Sequence, residues 1–176
     1  MKTMTLVLLT GIASALQADV IGTKPWTTIG SAGTTVAGQV TYTGTIAYLD
    51  ASSAVVLYNV VAVDGLQATN GLQPVRPVMK VRFRDNGANN RVIVRVKRMD
   101  LNTGAISTLM TLDSDSYADS PSFQTREIGS CGNSFSFDFS NHAYFVEATM
   151  TRTSLPVTPG ISGIQLGTSD APCFTP

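Results

Sequence analysis

The sequence predicts an all-β protein, a single-domain antiparallel β-sandwich that is jelly-roll-like and has roughly eight to ten strands. Two observations lead to this fold class. From Thr34 onward, apolar side chains recur with a period of two rather than about 3.6, and β-branched residues dominate. Turn-forming residues recur roughly every 8–12 positions, the spacing of sandwiches and barrels. No segment has the apolar stripe of an amphipathic helix.

Residues 1–18 have the pattern of a secretory signal peptide. Lys2 starts the segment, an uncharged apolar run follows, and small residues allow cleavage after Ala15 or Ala18. The run is shorter than the roughly 20 residues of a membrane-spanning helix, which disfavours the alternative of an uncleaved anchor. We therefore expect a secreted or periplasmic protein whose mature chain has no membrane span.

Two regions are predicted after the signal peptide. Residues 19–33, rich in glycine, threonine and serine, predict an irregular N-terminal arm, and residues 34–176 predict the β-sandwich domain. A mature chain of about 158 residues is long enough to bury roughly 70% of its unfolded surface in one core.

The first strands of the domain are predicted before residue 64. Residues 36–48 fit one long strand or two strands that meet at Gly44. Residues 55–63 are almost continuously apolar, which is typical of a strand buried on both faces.

The clearest alternation predicts three strands in a meander. Apolar and polar side chains alternate over residues 79–84 and again over 91–99, and a third strand-like segment covers 106–112. The turn-forming segments 85–90 and 102–104 separate them, as in consecutive hairpins.

Three further segments complete the predicted fold. Phe135, Phe137 and Phe139 alternate with polar residues and predict a strand that directs aromatic rings into the core. Residues 144–153 alternate in the same way, and residues 161–166 form the last predicted strand.

Composition excludes a protein that is drawn to its partner by overall charge. The chain has 12 basic and 12 acidic residues, a formal net charge of zero. No global field therefore attracts nucleic acid or a membrane surface, and no specific nucleic-acid partner is expected.

Basic residues are nevertheless concentrated in the first predicted hairpin of the meander, which we call the basic hairpin (residues 76–99). Strand alternation places six of its side chains on one expected exposed face: Lys80, Arg82, Arg84, Arg91, Arg95 and Lys97. One interpretation is a binding surface for anionic polysaccharide, lipopolysaccharide phosphate or nucleic acid. The favoured alternative is a solvated face neutralised by nearby acids, chiefly from the loop 113–119.

That loop carries three carboxylates within seven residues: Asp113, Asp115 and Asp119. Alternate acids on a loop can converge on calcium, which takes six to eight oxygen ligands in roughly this manner. The turn glycine and the distal glutamate of an EF-hand are both missing, so an acidic surface loop is the favoured alternative. No other cofactor is expected.

Aromatic and reactive residues complete the set of candidates. Trp26, with Tyr42 and Tyr48 nearby in sequence, suggests a sugar-stacking platform, and a plug over one end of the sandwich is the alternative. His142 is the one histidine and is expected to be exposed and inert in a turn. In an exported protein, the pair Cys131 and Cys173 predicts one disulfide rather than a reactive thiol.

These residues form no nucleophile–base constellation, so we expect a protein without catalytic activity. The leading interpretation is an exported structural or binding module at a surface or outside the cell. One alternative is a carbohydrate-binding module, acting through Trp26 or the basic hairpin. Another is a fibre subunit whose N-terminal arm adds a strand to a neighbour's sheet. The expected partners are a glycan or another copy of the chain.

Overall fold

The computed structural model describes residues 24–66, 76–85, 89–129, 135–153 and 158–169. Within these ranges the chain forms nine strands and short 3-10 turns, with no α-helix, so the predicted all-β class is confirmed. No helix of the described ranges could span a membrane. The strands are β1 (Trp26–Ile29), β2 (Thr34–Thr43), β3 (Ile46–Val60), β4 (Arg76–Arg84), β5 (Asn90–Asp100), β6 (Ile106–Asp113), β7 (Gln124–Gly129), β8 (His142–Arg152) and β9 (Gly160–Ser169).

The strands form one antiparallel sheet in the order β6-β5-β8-β3-β9-β4-β7, with β1 added to β9 and β2 added to β3. The sheet curls until it is nearly closed, which gives the sandwich. Strand β3 connects the two halves, because Ser53–Val60 pairs with β8 while Ala47 and Tyr48 pair with β9. We call the strands β6, β5 and β8 the β5 side, and β1, β9, β4 and β7 the β4 side.

Both sides contribute their inward residues to a single core. Val92, Val94 and Val96 of β5 are fully buried, and so are Val81 and Phe83 of β4. The alternation in the sequence predicted these inward positions correctly. Since the two sides share one core, their polar outward faces point away from each other into solvent.

The predicted meander is only partly correct. Strands β5 and β6 do form a hairpin, and β6 extends over the predicted segment. Strand β4, however, pairs with β7 and β9, whereas β5 pairs with β6 and β8. The chain between Arg84 and Asn90 therefore connects the two sides of the sandwich, and the basic hairpin does not exist. A period-two pattern defines the faces of a strand but not its neighbours.

The N-terminal arm is also more ordered than predicted. Residues 26–29 form strand β1, which pairs with β9 so that Trp26 lies opposite Leu166 and both are buried. The burial of these two side chains explains why the segment is a strand rather than an irregular arm. Residues 1–18, the predicted signal peptide, and residues 19–23 lie outside the described residues.

Two other segments differ from prediction. Phe135, Phe137 and Phe139 do not form a strand, although Phe137 is buried and its ring centroid lies 4.9 Å from that of Tyr144. Strand β7 has no clear alternation in the sequence and was not predicted. Of the two alternatives for residues 36–48, the structure has two strands that meet at Gly44, whose φ of 57° favours glycine.

Candidate functional site

The six basic side chains predicted to share one face lie on two separate faces. Lys80, Arg82 and Arg84 point outward from β4, and Arg91, Arg95 and Lys97 point outward from β5. The prediction of one continuous basic face is wrong, because β4 and β5 belong to opposite sides of the sandwich.

The three predicted cations that point outward from β5 all have carboxylate partners. Arg91 donates to Asp113 and forms an ion pair with Asp115 at 3.1 Å. Arg95 lies directly opposite Glu147 of β8, and Nζ of Lys97 is 2.6 Å from the same carboxylate. The Arg91 hydrogen bond lowers the pKa of Asp113 below its usual value. These three outward cations of β5 are therefore neutralised by acids of the protein itself.

On the β4 side, Lys80 has a carboxylate partner. Its Nζ lies 3.0 Å from Glu127 Oε2 on the neighbouring strand β7. Sequence reasoning missed both Glu127 and Glu147. Glu147 lies in the alternating segment 144–153, but its contacts depend on strand pairing that the sequence does not reveal.

Arg82 and Arg84 have no carboxylate within ion-pair distance among the described residues. The Arg84 guanidinium donates from Nε and Nη2 to the carbonyl of Thr158, at 3.1 and 2.8 Å. It also lies 5.1 Å from the ring centroid of Tyr48 and 5.5 Å from that of Phe123. Arg82 is exposed, and its guanidinium lies 5.8 Å from the Phe123 ring.

We call this group the arginine–aromatic face; it consists of Tyr48, Arg82, Arg84 and Phe123. The two rings meet edge to face with centroids 6.2 Å apart, and both are half-buried. Cation–π contacts of this kind contribute about 0.5–1 kcal/mol each at exposed sites. They also hold the two guanidinium groups beside the same ring.

Glycines of β9 leave the neighbouring part of the sheet without side chains. Gly163 lies opposite Arg82, and a Cβ built there would meet no atom closer than 3.6 Å. Gly160 lies opposite Arg84, and a Cβ there would come within 2.9 Å of the Tyr48 ring. The first glycine leaves open space beside Arg82, and the second allows Tyr48 to lie against the backbone.

Trp26 takes no part in this face. The side chain is 6% exposed and belongs to the core, so its ring cannot stack on a sugar. The prediction of glycan stacking at Trp26 is therefore wrong, and this side chain of β1 packs in the core. Tyr48, named with it from the sequence, does lie on the surface, whereas Phe123 was missed because no strand pattern surrounds it.

The three aspartates predicted to hold calcium do not converge. Asp113 and Asp115 both contact Arg91, and Asp113 also accepts a hydrogen bond from the Asp115 amide at 3.2 Å. Asp119 is exposed, and the described residues contain no group of three or more histidine, cysteine or acidic side chains able to hold a metal ion. Asp113 and Asp115 instead pair with the Arg91 guanidinium, and Asp113 also caps the 3-10 turn that follows β6.

His142 is less exposed than predicted, with 18% of its side chain accessible. Its ring nitrogens lie 3.9 Å from Asp100 Oδ2 and 3.6 Å from Asp138 Oδ2. Hydrogen bonds from Asn141 and Ser140 lower the pKa of Asp138, and amide donors of Thr103 and Asn102 lower that of Asp100. In the described part of the chain, no hydroxyl or thiol is hydrogen bonded to the His142 ring.

Cys131 and Cys173 lie outside the described residues, so their disulfide stays a prediction.

Comparison with known proteins assigns no family. No protein-family model and no curated protein matches the chain. A similar solved structure contains the CBM22-1 and GH10 modules of endo-1,4-β-D-xylanase 10B from Clostridium thermocellum, complexed with xylohexaose. The identity is 12% and the TM-score 0.43, over 89% of this chain and 27% of that one. The chain thus spans about a quarter of that protein, and the likeness carries no function to it.

Proposed function

We propose that the protein is an exported, non-catalytic module that binds saccharides on the arginine–aromatic face. The observation that carries the proposal is the arrangement of two guanidinium groups without carboxylate partners, within the described residues, beside the rings of Tyr48 and Phe123. Binding sites commonly combine apolar or aromatic surface with a few fixed polar groups.

The chemistry of the face suits a saccharide. Aromatic rings offer a flat apolar surface for the C–H face of a sugar ring, and guanidinium N–H groups donate to its hydroxyl oxygens. Exposed polar side chains of the surrounding strands, Thr125 on β7 and Thr27 on β1, add further donors and acceptors. Ile29, 45% exposed on β1, extends the apolar surface past Gly163.

The face is also rigidly supported. Strands β4 and β9 are each paired on both edges, and the inward residues between the exposed ones, such as Val81 and Ile164, are buried in the core. A site on paired strands holds its side chains more precisely than a site on loops. The surface can therefore accept a ligand without first being ordered by it.

The proposal is tested by native affinity electrophoresis of the mature protein through gels that contain single soluble polysaccharides, both neutral and acidic. We expect at least one polysaccharide to retard the protein, and Phe123→Ala to weaken this retardation about tenfold, equivalent to about 1.4 kcal/mol. Arg91→Ala, which removes a cation from the β5 side, is the control and should retain binding. Unfolding midpoints of all variants show that each is folded.

Absence of retardation in every gel overturns the proposal. So does retardation that Arg91→Ala and Phe123→Ala weaken equally, because it would then not depend on this face. If Phe123→Ala fails to fold, Arg82→Ala replaces it, since Arg82 is exposed and has no hydrogen-bonded side-chain partner among the described residues.

A second candidate function, assembly by strand addition, is favoured by the free edge of β2. Residues 26–29 already pair with β9, so this part of the N-terminal arm is not free to join another copy. Strand β2, in contrast, pairs with β3 alone among the described strands. It has ten residues without a charge or proline and exposes Val36 by 55%. Natural edge strands usually carry charged residues or proline, which block pairing with another chain.

Sedimentation velocity over a range of concentrations tests this candidate. Self-association that Val36→Lys abolishes would support it. The control is Val61→Lys, which changes a valine of similar exposure (53%) beyond the end of β3. A monomer at every concentration would exclude it.

A further inference from the structure

We infer that the saccharide bound at the arginine–aromatic face carries carboxylate groups, as in a chain of uronic acids, and that Arg82 binds one of them. This inference rests on the proposed function and adds the chemical class of the ligand. Its basis is the distribution of charge over the outward side chains of the β4 side.

The outward face of the β4 side has an uncompensated positive charge. Lys80 and Glu127 neutralise each other, and the residues of β1 and β9 contain no charged side chain. Arg82 and Arg84 therefore add two positive charges beside Tyr48 and Phe123 that no carboxylate of the described residues pairs with. The β5 side differs, since each of its three outward cations has an acid within 3.4 Å or less. Charge complementarity at this face therefore favours an anionic ligand.

The two guanidinium groups differ in their freedom. Arg84 is held by two hydrogen bonds to the Thr158 carbonyl and by contacts with both rings. The Arg82 side chain is exposed and has no hydrogen-bonded partner in the described part of the chain. A guanidinium with free N–H groups can bind a carboxylate in a bidentate manner, through two parallel hydrogen bonds. Arg82 is thus suited to bind the anion, while Arg84 adds a fixed positive charge beside it.

The ligand is expected to have a low density of charge. The arginine–aromatic face offers two cations without a carboxylate partner among the described residues, and the Cα atoms of Arg82 and Arg84 lie about 6.6–6.8 Å apart, as alternate residues of one strand do. Nucleic acids and highly sulfated polymers need many phosphate- or sulfate-binding cations, and their affinity falls steeply with salt. A saccharide with one carboxylate per ring matches two cations beside two aromatic rings.

Calorimetric titration with matched ligands tests the inference. The probes are oligosaccharides of galacturonic, mannuronic and glucuronic acid, each compared with its methyl ester, which keeps the sugar ring but removes the charge. We expect the wild-type protein to bind at least one acid about tenfold or more tightly than its ester. Arg82→Gln should abolish this preference. Arg82→Lys should retain part of it, because lysine keeps the positive charge but cannot form the bidentate pair of hydrogen bonds.

Arg91→Gln is the matched control, because it removes one positive charge from the β5 side, and its preference for the acid should equal that of wild type. Equal binding of acid and ester, or a preference unchanged in Arg82→Gln, overturns the inference and leaves the proposed function standing. Tightest binding to heparin, with a steep salt dependence, also overturns it. Binding of no saccharide at all overturns both.

Discussion

The Tyr58 hydroxyl connects the core to the turn that precedes β2. The side chain is 2% exposed, and its hydroxyl donates to the Gly30 carbonyl at 2.9 Å. Burial raises the pKa of Tyr58 far above its usual value, so the hydroxyl stays protonated and remains a donor. Titration of this hydroxyl therefore does not remove the hydrogen bond near neutral pH.

Tyr58→Phe should destabilise the protein by about 1–3 kcal/mol, because the buried Gly30 carbonyl loses this donor. Urea unfolding followed by fluorescence measures the change. The control is Tyr42→Phe, which removes a hydroxyl that bonds Thr35 at an exposed site and should cost about 0.5 kcal/mol or less. Equal losses in the two variants would contradict the assignment.

Acid should destabilise the protein through carboxylates whose pKa values are lowered in the folded state. Hydrogen bonds from Asn141 and Ser140 lower the pKa of Asp138, and that of Asp113 is lowered by Arg91. Such groups stabilise the fold above the unfolded pKa of about 3.9, and this contribution is lost as pH falls through the lower folded pKa. The unfolding temperature should therefore decline below about pH 4.

Thermal unfolding followed by circular dichroism between about pH 7 and pH 2.5 measures this decline. Asp138→Asn removes one of the titrating groups, so its unfolding temperature should fall less over the acidic part of the range. A wild-type profile that is flat, or one identical to that of the variant, would contradict the contribution of Asp138.

Single residues also show how far the sequence was informative. The buried positions Val92, Val94 and Val96 were predictable because a strand alternates its two faces, and alternation is visible in a few consecutive residues. The partners of the outward cations were not predictable. Glu147 lies 50 residues from Lys97 in sequence, and only the pairing of β5 with β8 brings them together.

At the level of elements, the sequence predicted most strands and few of their pairings. The boundaries of β6 agree with prediction to within one residue, β9 extends three residues beyond its predicted end, and β5–β6 is a hairpin as expected. Strand β4 follows the same local rules, but its neighbours are β7 and β9. The pairing is determined by which apolar faces fill the common core, a property of the whole chain. The arginine–aromatic face was unpredictable for the same reason, since it joins residues of β3, β4 and the segment before β7.

The 3-10 turn between β1 and β2 depends on close contact of Gly30 with β9. A Cβ at Gly30 would lie 1.8 Å from the carbonyl oxygen of Ile161 and 2.7 Å from its carbonyl carbon. Because the obstacle is backbone in a paired strand, a side chain cannot simply rotate away. The turn can therefore pack against the sheet only with glycine at this position.

Gly30→Ala should accordingly destabilise the fold by about 1–3 kcal/mol or more, the range of overpacking substitutions in a core. The matched control is Gly163→Ala on β9, where the added methyl meets no atom closer than 3.6 Å and little change is expected. Unfolding in guanidinium chloride distinguishes the two. Comparable stability of both variants would show that the turn can move away from β9.

At the scale of the whole molecule, β3 connects the β4 side and the β5 side around a single core. The buried residues of β3 are odd-numbered up to Leu49 and even-numbered from Ala54 onward. The strand therefore changes which of its faces points to the core between the part that pairs with β9 and the part that pairs with β8. Strand β2 follows the same bend with shifts in register near Gly38. The two outward faces consequently carry independent groups of charged residues, one neutralised internally and one bearing Arg82 and Arg84.

The described ends of β7 and β9 leave enough chain for the predicted Cys131–Cys173 disulfide. Gly129 pairs with Val78 and Ser169 pairs with Arg76, so both chains leave the sheet at the end where β4 begins. Two strand spacings and a two-residue offset separate these ends by about 12 Å. Cys131 follows Gly129 by two residues and Cys173 follows Ser169 by four. At about 3.3–3.6 Å per residue, these lengths reach disulfide distance.

We therefore expect mature protein from an oxidising compartment to show no alkylation by iodoacetamide until a reductant is added, as measured by intact mass. Closing a loop of about 43 residues should stabilise the fold by about 4 kcal/mol in the chain-entropy model. Cys131→Ser, Cys173→Ser and the double variant should then lose the same stability, because either substitution alone removes the entire cross-link. Two thiols that are alkylated without reductant, or losses that add in the double variant, would show that the cysteines act separately.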